Sequence, residues 1–284
     1  MSNEIGIEKT NTDECMDLIE KHVYSLANPL DSWLEEQLFL ADKYLIRLKD
    51  EAIGYCAVIA ETINFFFVQS EHFEYAPRAL EQAVCELGVE KIFVMSQDSG
   101  LCALMIEWDY EMERSGCFFV DSGRSVIRTY KAQDAGFRKA VLEDCENIRQ
   151  FAGDFFEDEN SEYLSLEEKI ENQTIFVLEE NGELLGAGIV QRGRICRDYI
   201  SIGMFTNKEH RKKGVAKTIL LNLKDYVYSL GKKPAAGCWY YNTLSRKSLE
   251  SAGMTASGLG FNAKLIKKDN PPKRTGNPPG ELVE

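Results

Sequence analysis

An α/β protein of two similar domains is what the sequence predicts, and three observations lead there. Each half carries a pair of apolar strands around a tight polar turn. Each half then carries a helix closed by glycine, followed by another apolar strand and a short helix. Only the second half opens its helix with a basic, glycine-containing turn.

In the first half, YLIRLKDEAIGYCAVIA (44–60) reads as two strands around a charged turn, and IFVLEENGELLGAGIVQ (175–191) repeats the arrangement in the second. Asn181-Gly182 is a strong hairpin signal, because both residues tolerate the positive φ that a two-residue turn demands. Gly54 and Gly186 hold corresponding places. Downstream, RALEQAVCELG (78–88) and LLNLKDYVYSLG (220–231) read as helices ending on a glycine C-cap. Short apolar runs follow, IFVMS (92–96) and AAGCWYY (235–241), and each leads through a polar residue, Asp98 or Asn242, into a short helix. Strand-like regions near CFFV (117–120) and GFNAKLI (260–266) close the two halves.

The division falls in DSGRSVIRTYKAQDAG (121–136), where polar residues interrupt the pattern. The expected organisation is therefore a domain over 1–125, a linker over 126–136, a second domain over 137–266 and a disordered tail over 267–284. FRKAV (137–141) opens the second domain, LEDCENIRQFAGDFF (142–156) is its first helix, and DEN (158–160) is a loop. The tail KKDNPPKRTGNPPGELVE holds four of the seven prolines and almost no apolar side chains.

Composition narrows the partners. With 46 acidic and 33 basic residues, the net charge is -13, which argues against nucleic acid and suits an amine substrate or simple solubility. No apolar run reaches the roughly 18 residues needed to span a membrane. MSNEIGIEKTNTDE at the N-terminus lacks the basic and apolar segments of a secretory signal. The eight cysteines form no C-x-x-C pair, and three histidines supply no metal-ligand spacing. A reduced, cytoplasmic, metal-free protein is expected, as a monomer or a homodimer.

The chemistry is concentrated in YISIGMFTNKEHRKKGVAKTIL (199–220). A strand ends in a basic turn, and a helix starts at once with Val215, Ala216, Ile219, Leu220, Leu223 and Val227 on its apolar face. Lys217, Asn222, Lys224 and Asp225 populate the rest. A helix N-terminus offers unpaired N–H groups and the positive end of the dipole. Gly214 and Ala216 permit close backbone approach, Arg211 can fork across two phosphate oxygens, and Lys212 and Lys213 add charge. The pattern is neither G-x-x-x-x-G-K-[ST] nor G-x-G-x-x-G, which argues against kinase and NAD chemistry. From Gly54 to Gly88 is 34 positions and from Gly186 to Gly231 is 45, so the second half is 11 residues longer in the region of the basic turn. At the corresponding place the first half has SEHFEYAPRAL, with Glu71, Glu74 and Pro77 and no glycine.

With Arg211, Gly214 and Ala216 in that order, TNKEHRKKGVAKTILLNL resembles the acetyl-coenzyme A motif of the GCN5-related N-acetyltransferase (GNAT) family. The resemblance covers about 137–266, and the first half is similar to a degenerate copy, so the whole resembles a tandem acetyltransferase. It implies two domains, each a mixed, mostly antiparallel sheet flanked by helices. It implies that N–H groups from Lys212 through Lys213, Gly214 and Val215 to Ala216 bind the pyrophosphate of acetyl-CoA. Met204, Phe205 and Thr206 then pair with the pantetheine arm, a main-chain N–H near Met204 polarises the thioester carbonyl, and Asn242 and Ser245 lie against the coenzyme. The implied reaction is direct attack by a neutral primary amine of a small molecule or peptide. Many members place a tyrosine four residues before a closing glycine to protonate the thiolate; here that residue is Leu249, before Gly253. Tyr241, Tyr240, Ser245 or water is left as proton donor, and Asp198 is the nearest carboxylate candidate for general base. Packing or solvent exposure is the competing role for Tyr240, Tyr241 and Asp198. A non-catalytic acyl-CoA sensor is the alternative function.

Overall fold

A computed structural model describes residues 5–127, 135–152 and 164–266. The expected tail (267–284), the expected loop at 158–160 and most of the expected linker lie outside these residues. The described residues form two compact units, one of 5–28, 36–116 and 258–266, the other of 29–35, 117–127, 135–152 and 164–257. Each unit takes in a short segment from outside its own main stretch of sequence. CFFV belongs to the second unit and GFNAKLI to the first, so the closing strands are exchanged. Residues 29–35 also leave the first unit for the second.

In the first unit the strands are β1 (Ile5–Thr10), β2 (Asp42–Leu48), β3 (Glu51–Ile59), β4 (Thr62–Val68), β5 (Lys91–Met95), β6 (Tyr110–Asp121) and β12 (Met254–Leu265). They lie in the order β1-β2-β3-β4-β5-β12-β6. β5 and β12 pair antiparallel, Gly260 opposite Met95 through Lys264 opposite Lys91. The helices are α1 (Thr12–Ser25), α2 (Ser32–Leu40), α3 (Ala76–Glu86) and α4 (Ser99–Met105), with the first residues of α2 in the second unit. Ile46, Ile53, Ile63, Leu80, Ile92 and Leu101 are central in the apolar core.

The second unit runs β12-β6-β11-β10-β9-β8-β7. Its remaining strands are β7 (Ala135–Lys139), β8 (Ile175–Glu180), β9 (Glu183–Arg192), β10 (Tyr199–Thr206) and β11 (Lys233–Trp239). Its helices are α5 (Cys145–Ala152), α6 (Leu166–Glu171), α7 (Val215–Ser229) and α8 (Thr243–Ser251). α7 packs on β9, β10 and β11, while α5 packs on β9 and β10. Strand alternation separates two cores. Phe176, Ile200, Ile202, Ile219 and Leu223 lie together with α7, and Ile148, Ile170, Val177 and Ala187 lie together with α5 and α6.

The internal repeat holds at residue level. Gly54 pairs with Val68, and Gly186 pairs with Thr206. A Cβ on either glycine would collide with the neighbouring strand, at the carbonyl of Phe67 or of Phe205. Each therefore serves a close strand approach that only glycine allows. Asn181 and Gly182 both have positive φ, 53° and 81°, as the tight hairpin requires. Asp98 and Asn242 also correspond, each accepting an N–H bond from the residue three positions on, Leu101 or Ser245.

The repeat relocates the length difference. Gly54 to Val68 spans 14 positions and Gly186 to Thr206 spans 20, so six of the 11 extra residues precede the end of β10. Four of these six lengthen the loop between Arg192 and Tyr199 and two lengthen the strands, and only five of the 11 fall in the turn and helix.

Lys224, expected on the polar side of its helix, is instead buried. Its Nζ donates to Asp121 Oδ1 at 2.7 Å and to the Ala252 carbonyl at 2.9 Å, and the Tyr228 hydroxyl bonds the other Asp121 oxygen. Burial and that carboxylate push the Tyr228 hydroxyl up to about 12. Removing one partner from a buried ion pair leaves an uncompensated charge. Lys224→Met is expected to destabilise the protein by about 3–5 kcal/mol, read as a lower urea midpoint.

Candidate functional site

β10 and β11 run parallel but share only three pairs, Tyr199–Lys233, Ile200–Pro234 and Ser201–Ala235. Beyond Ser201 the ladder between these two strands stops. The other edge of β10 continues to pair with β9 as far as Thr206. Met204, Phe205 and Thr206 thus lie on the part of β10 that has lost its parallel neighbour. The Thr206 hydroxyl oxygen is buried without a hydrogen-bond partner among the described residues, a polar group whose burial is costly unless something bonds it.

After β10 a short 3-10 turn, Lys208–His210, is capped by the Asn207 side chain. His210 bonds Glu183 at 2.7 Å and anchors the turn to the β8–β9 hairpin. Lys212 (φ 62°) and Gly214 (φ 90°) are left-handed, with Lys213 between them. Such a succession directs neighbouring N–H groups into one concavity. Gly214 caps α7 without any side-chain bond to the helix amides. The earliest ladder bond of α7 runs from Thr218 to the Gly214 carbonyl, so Val215, Ala216 and Lys217 precede the first donor of the ladder. Arg211, Lys212 and Lys213 are exposed. Among the described residues none of the three forms an ion pair.

The first unit departs at the same place. β4 and β5 also part early, after Ile63 opposite Ile92. However, a 3-10 stretch (Ser70–Tyr75) leads directly into α3, and the Ala76 N–H is used on the Phe73 carbonyl. Pro77 has no N–H to offer. A cavity of about 580 Å³ opens there, lined by Phe66, Phe67, Phe73 and Leu104 with Lys21 and Glu71. Beside it His22 is buried, bonding Tyr55 at 2.8 Å and Asp98 at 3.0 Å.

The structure brings some nominated residues to the parting strands and not others. Met204, Phe205, Thr206 and the turn from Arg211 to Ala216 lie at the parted end of β10. Asn242 follows β11, and its Oδ1 is committed to the Ser245 amide. Tyr240 packs against the core and lies under Arg246, whose guanidinium is 5.1 Å from the ring centre. Tyr241 is exposed and packs edge-on to Trp239 at 5.0 Å. Leu249 is 2% exposed within the α7 core. Asp198 lies at the paired end of β10, exposed, 3.4 Å from Lys232. Six residues separate it from Met204, or about 20 Å of strand, so it is not brought to the parted end.

Residues 29–35 were not expected here. Ser32 donates its N–H to Ser201 Oγ at 2.8 Å. Glu35, 2% exposed, accepts N–H bonds from Arg194, from Ile195 at 3.1 Å and from Cys196 at 2.7 Å. Asp31 caps α2 through the Leu34 N–H at 2.9 Å. The D-S-W-L-E run carries a readable helix-start signal, but its partners lie about 160 residues away.

Two GNAT family models match the chain, one described as an acetyltransferase (GNAT) domain over residues 11–122 and one as the acetyltransferase (GNAT) family over 142–254. No curated protein sequence matches significantly. Among solved structures, an acetyltransferase of the GNAT family from Colwellia psychrerythraea superposes with TM-score 0.79 at 17% identity, covering 92% of this chain and 100% of that one. A GCN5-related N-acetyltransferase from Sphaerobacter thermophilus gives 0.61 at 12% identity, covering 95% and 98%. A tandem GNAT protein from the clavulanic acid biosynthesis pathway gives 0.58 at 12%, covering 94% and 100%. The chain belongs to the GNAT acetyltransferase family and carries two of its domains in tandem.

The cysteines beside the site do not look like nucleophiles. Burial pushes the Cys196 thiol up to about 12 and the Cys238 thiol to about 11, so both stay protonated at neutral pH. All eight cysteines are free and Cys85 is exposed. Limited iodoacetamide at pH 7.5 is expected to label Cys85 first and leave Cys196 and Cys238 unmodified in the folded protein, as read by peptide mass spectrometry.

Proposed function

We propose that the second unit transfers an acetyl group from acetyl-CoA to a primary amine of a small molecule or peptide, in a reducing cytoplasm. The observation that carries this reading is the α7 N-terminus. Its amides have no side-chain cap among the described residues, they follow a basic left-handed turn, and they adjoin the parted end of β10. N–H groups from Lys212 to Ala216 would hold the pyrophosphate, supported by the charges of Arg211, Lys212 and Lys213. The edge of β10 that faces away from β9 at Met204, Phe205 and Thr206 would pair with the pantetheine arm, with the Met204 N–H polarising the thioester carbonyl. The Asn242 amide nitrogen and Ser245 would flank the coenzyme from the start of α8.

Leu249 cannot donate a proton, so the leaving thiolate would take its proton from solvent or from Tyr240 or Tyr241. The burial of Leu249 also favours the second reading, an acyl-CoA sensor without turnover. Thiol release from acetyl-CoA, followed across amines, peptides and amino acids, separates the two. Acceptor-dependent release supports the enzyme, and tight binding without release across the panel supports the sensor.

Gly214→Asp places bulk and negative charge beside the pyrophosphate, at a φ that side chains rarely adopt. Loss of one charge-assisted hydrogen bond, about 1.5–3 kcal/mol, corresponds to about 10- to 150-fold in Kd. Calorimetric titration of the folded variant with CoA is expected to show at least that weakening. Unchanged affinity would remove the basis for placing the pyrophosphate at this turn.

A further inference from the structure

The face of β10 and β11 opposite α7 holds a feature that the coenzyme reading leaves unexplained. Ala236 lies in the α7 core and Cys238 packs against it, so alternation turns Gly237 to the other face. There a Cβ on Gly237 would collide with Asp31 Oδ2. The carboxylate fills the space of a missing side chain. Gly237 lies two residues past Ala235, the last residue of β11 paired with β10. The adjoining Ser32–Ser201 bond ties the segment to that last pair. Asp31 therefore sits where the strands begin to part, about one residue's rise, or 3.3 Å, short of the level of Met204.

Its placement is built rather than incidental. Glu35 clamps the start of α2 to three consecutive amides of the loop before β10. A Cβ on Gly193 would lie 2.6 Å from Glu35 Oε1, so this loop too leaves room for the clamp. The clamped loop lies within the insertion that the first unit lacks.

We infer that Asp31 is the acceptor-side catalytic residue of the second unit, binding a cationic primary amine that carries no carboxylate on the same carbon and taking the proton that the ammonium sheds before it attacks. This rests on the acetyl-transfer reading. In the step, the amine nitrogen forms a bond to the acetyl carbon and the carbon–sulfur bond breaks. Before that attack the bound ammonium gives one proton to Asp31 and becomes the neutral amine; after it the nitrogen's second proton passes through solvent to the departing thiolate. Trp239, exposed and on the same face two residues beyond Gly237, gives the amine's organic portion an aromatic wall.

Two properties fit the role. Asp31 is 6% exposed and receives its hydrogen bonds from the Trp33 and Leu34 amides, with no ion pair among the described residues. Burial first, and the nearby Glu35 carboxylate in addition, raise its carboxyl to about 6. The other titratable groups that interact with it are the thiols of Cys196, before β10, and more weakly Cys238, on the opposite face of β11. A carboxylate titrating near 6 is ionised at neutral pH yet basic enough to accept a proton. An uncompensated negative charge at this position also repels the carboxylate of an α-amino acid.

The linkage sign separates this role from a structural one. A carboxyl raised in the folded state contributes stability below its unfolded value near 4 and loses it as pH rises through about 6. Asp31→Asn should therefore leave the fold as stable or more stable at pH 8 while removing activity.

The test compares wild type, Asp31→Asn and Gly237→Ala, the last displacing the carboxylate by the added Cβ. Phenethylamine and phenylalanine amide serve as acceptors, phenylalanine as the carboxylate-bearing control, and CoA affinity is measured for every variant. Wild type is expected to acetylate the amines and not phenylalanine, with kcat/KM falling below a pH near 6. Both variants are expected to lose at least about 100-fold in kcat/KM with CoA affinity unchanged, and Asp31→Asn to lose the acid limb. An Asp31→Asn enzyme within threefold of wild type that keeps the limb, or a wild type that prefers phenylalanine, overturns the inference and leaves the acetyltransferase reading standing. If wild type binds CoA but turns over no acceptor, phenethylamine binding is titrated in the presence of CoA. Binding lost in Asp31→Asn supports the acceptor site, and no binding to wild type overturns it. Failure of wild type to bind CoA fails the underlying reading instead.

Discussion

The brevity of the parallel ladder between β10 and β11 is the constraint on which the second unit depends. Three pairs hold the strands together, and then the partnership ends. A longer ladder would cover with β11 the edge of β10 that faces away from β9 from Met204 onward. Because the strands part, one strand edge lies open beside the unpaired amides of α7. The rest of the site is arranged around that opening.

Glycines shape the packing around that opening. On the α7 side, Gly186 and Gly188 let Ile219 and Leu223 settle against β9. On the other side, Gly203 gives way to Ile189, and Gly237 to Asp31. At Gly188 and Gly237 the missing side chain makes room for groups from outside the sheet, and at Gly186 and Gly203 for the neighbouring strand. The first unit shares the early parting but fills the turn with a 3-10 stretch and a proline. The same architecture thus carries a cavity there and a basic turn before an uncapped helix N-terminus in the second copy.

Local features were readable from the sequence because local chemistry encodes them. The hairpin glycines, the Asn181-Gly182 turn, the paired caps at Asp98 and Asn242, and the basic turn at 211–214 each carry their reason within a few residues. Features that depend on distant partners were not readable. Asp198 is close to Met204 in number, but strand rise carries it to the wrong end of β10. Lys224 has the charge of a surface residue, and only the positions of Asp121 and Ala252 make its burial intelligible. Asp31 announces itself as a helix cap, whereas its contact with Gly237 crosses about 200 positions. The insertion was counted correctly yet placed too late, because the strand register that divides it requires the fold.

The exchange of closing strands has a consequence for how the chain is made. A ribosome releases β1 to β5 long before β12, and β12 supplies the partner on one side of β5 in the first unit's sheet. Until β12 has emerged, β5 presents an unsatisfied edge rich in Ile92, Phe93, Val94 and Met95. The sheet of the first unit is therefore closed only after β7 to β11 have been made, and its open edge is exposed to misassembly or chaperone capture throughout that interval.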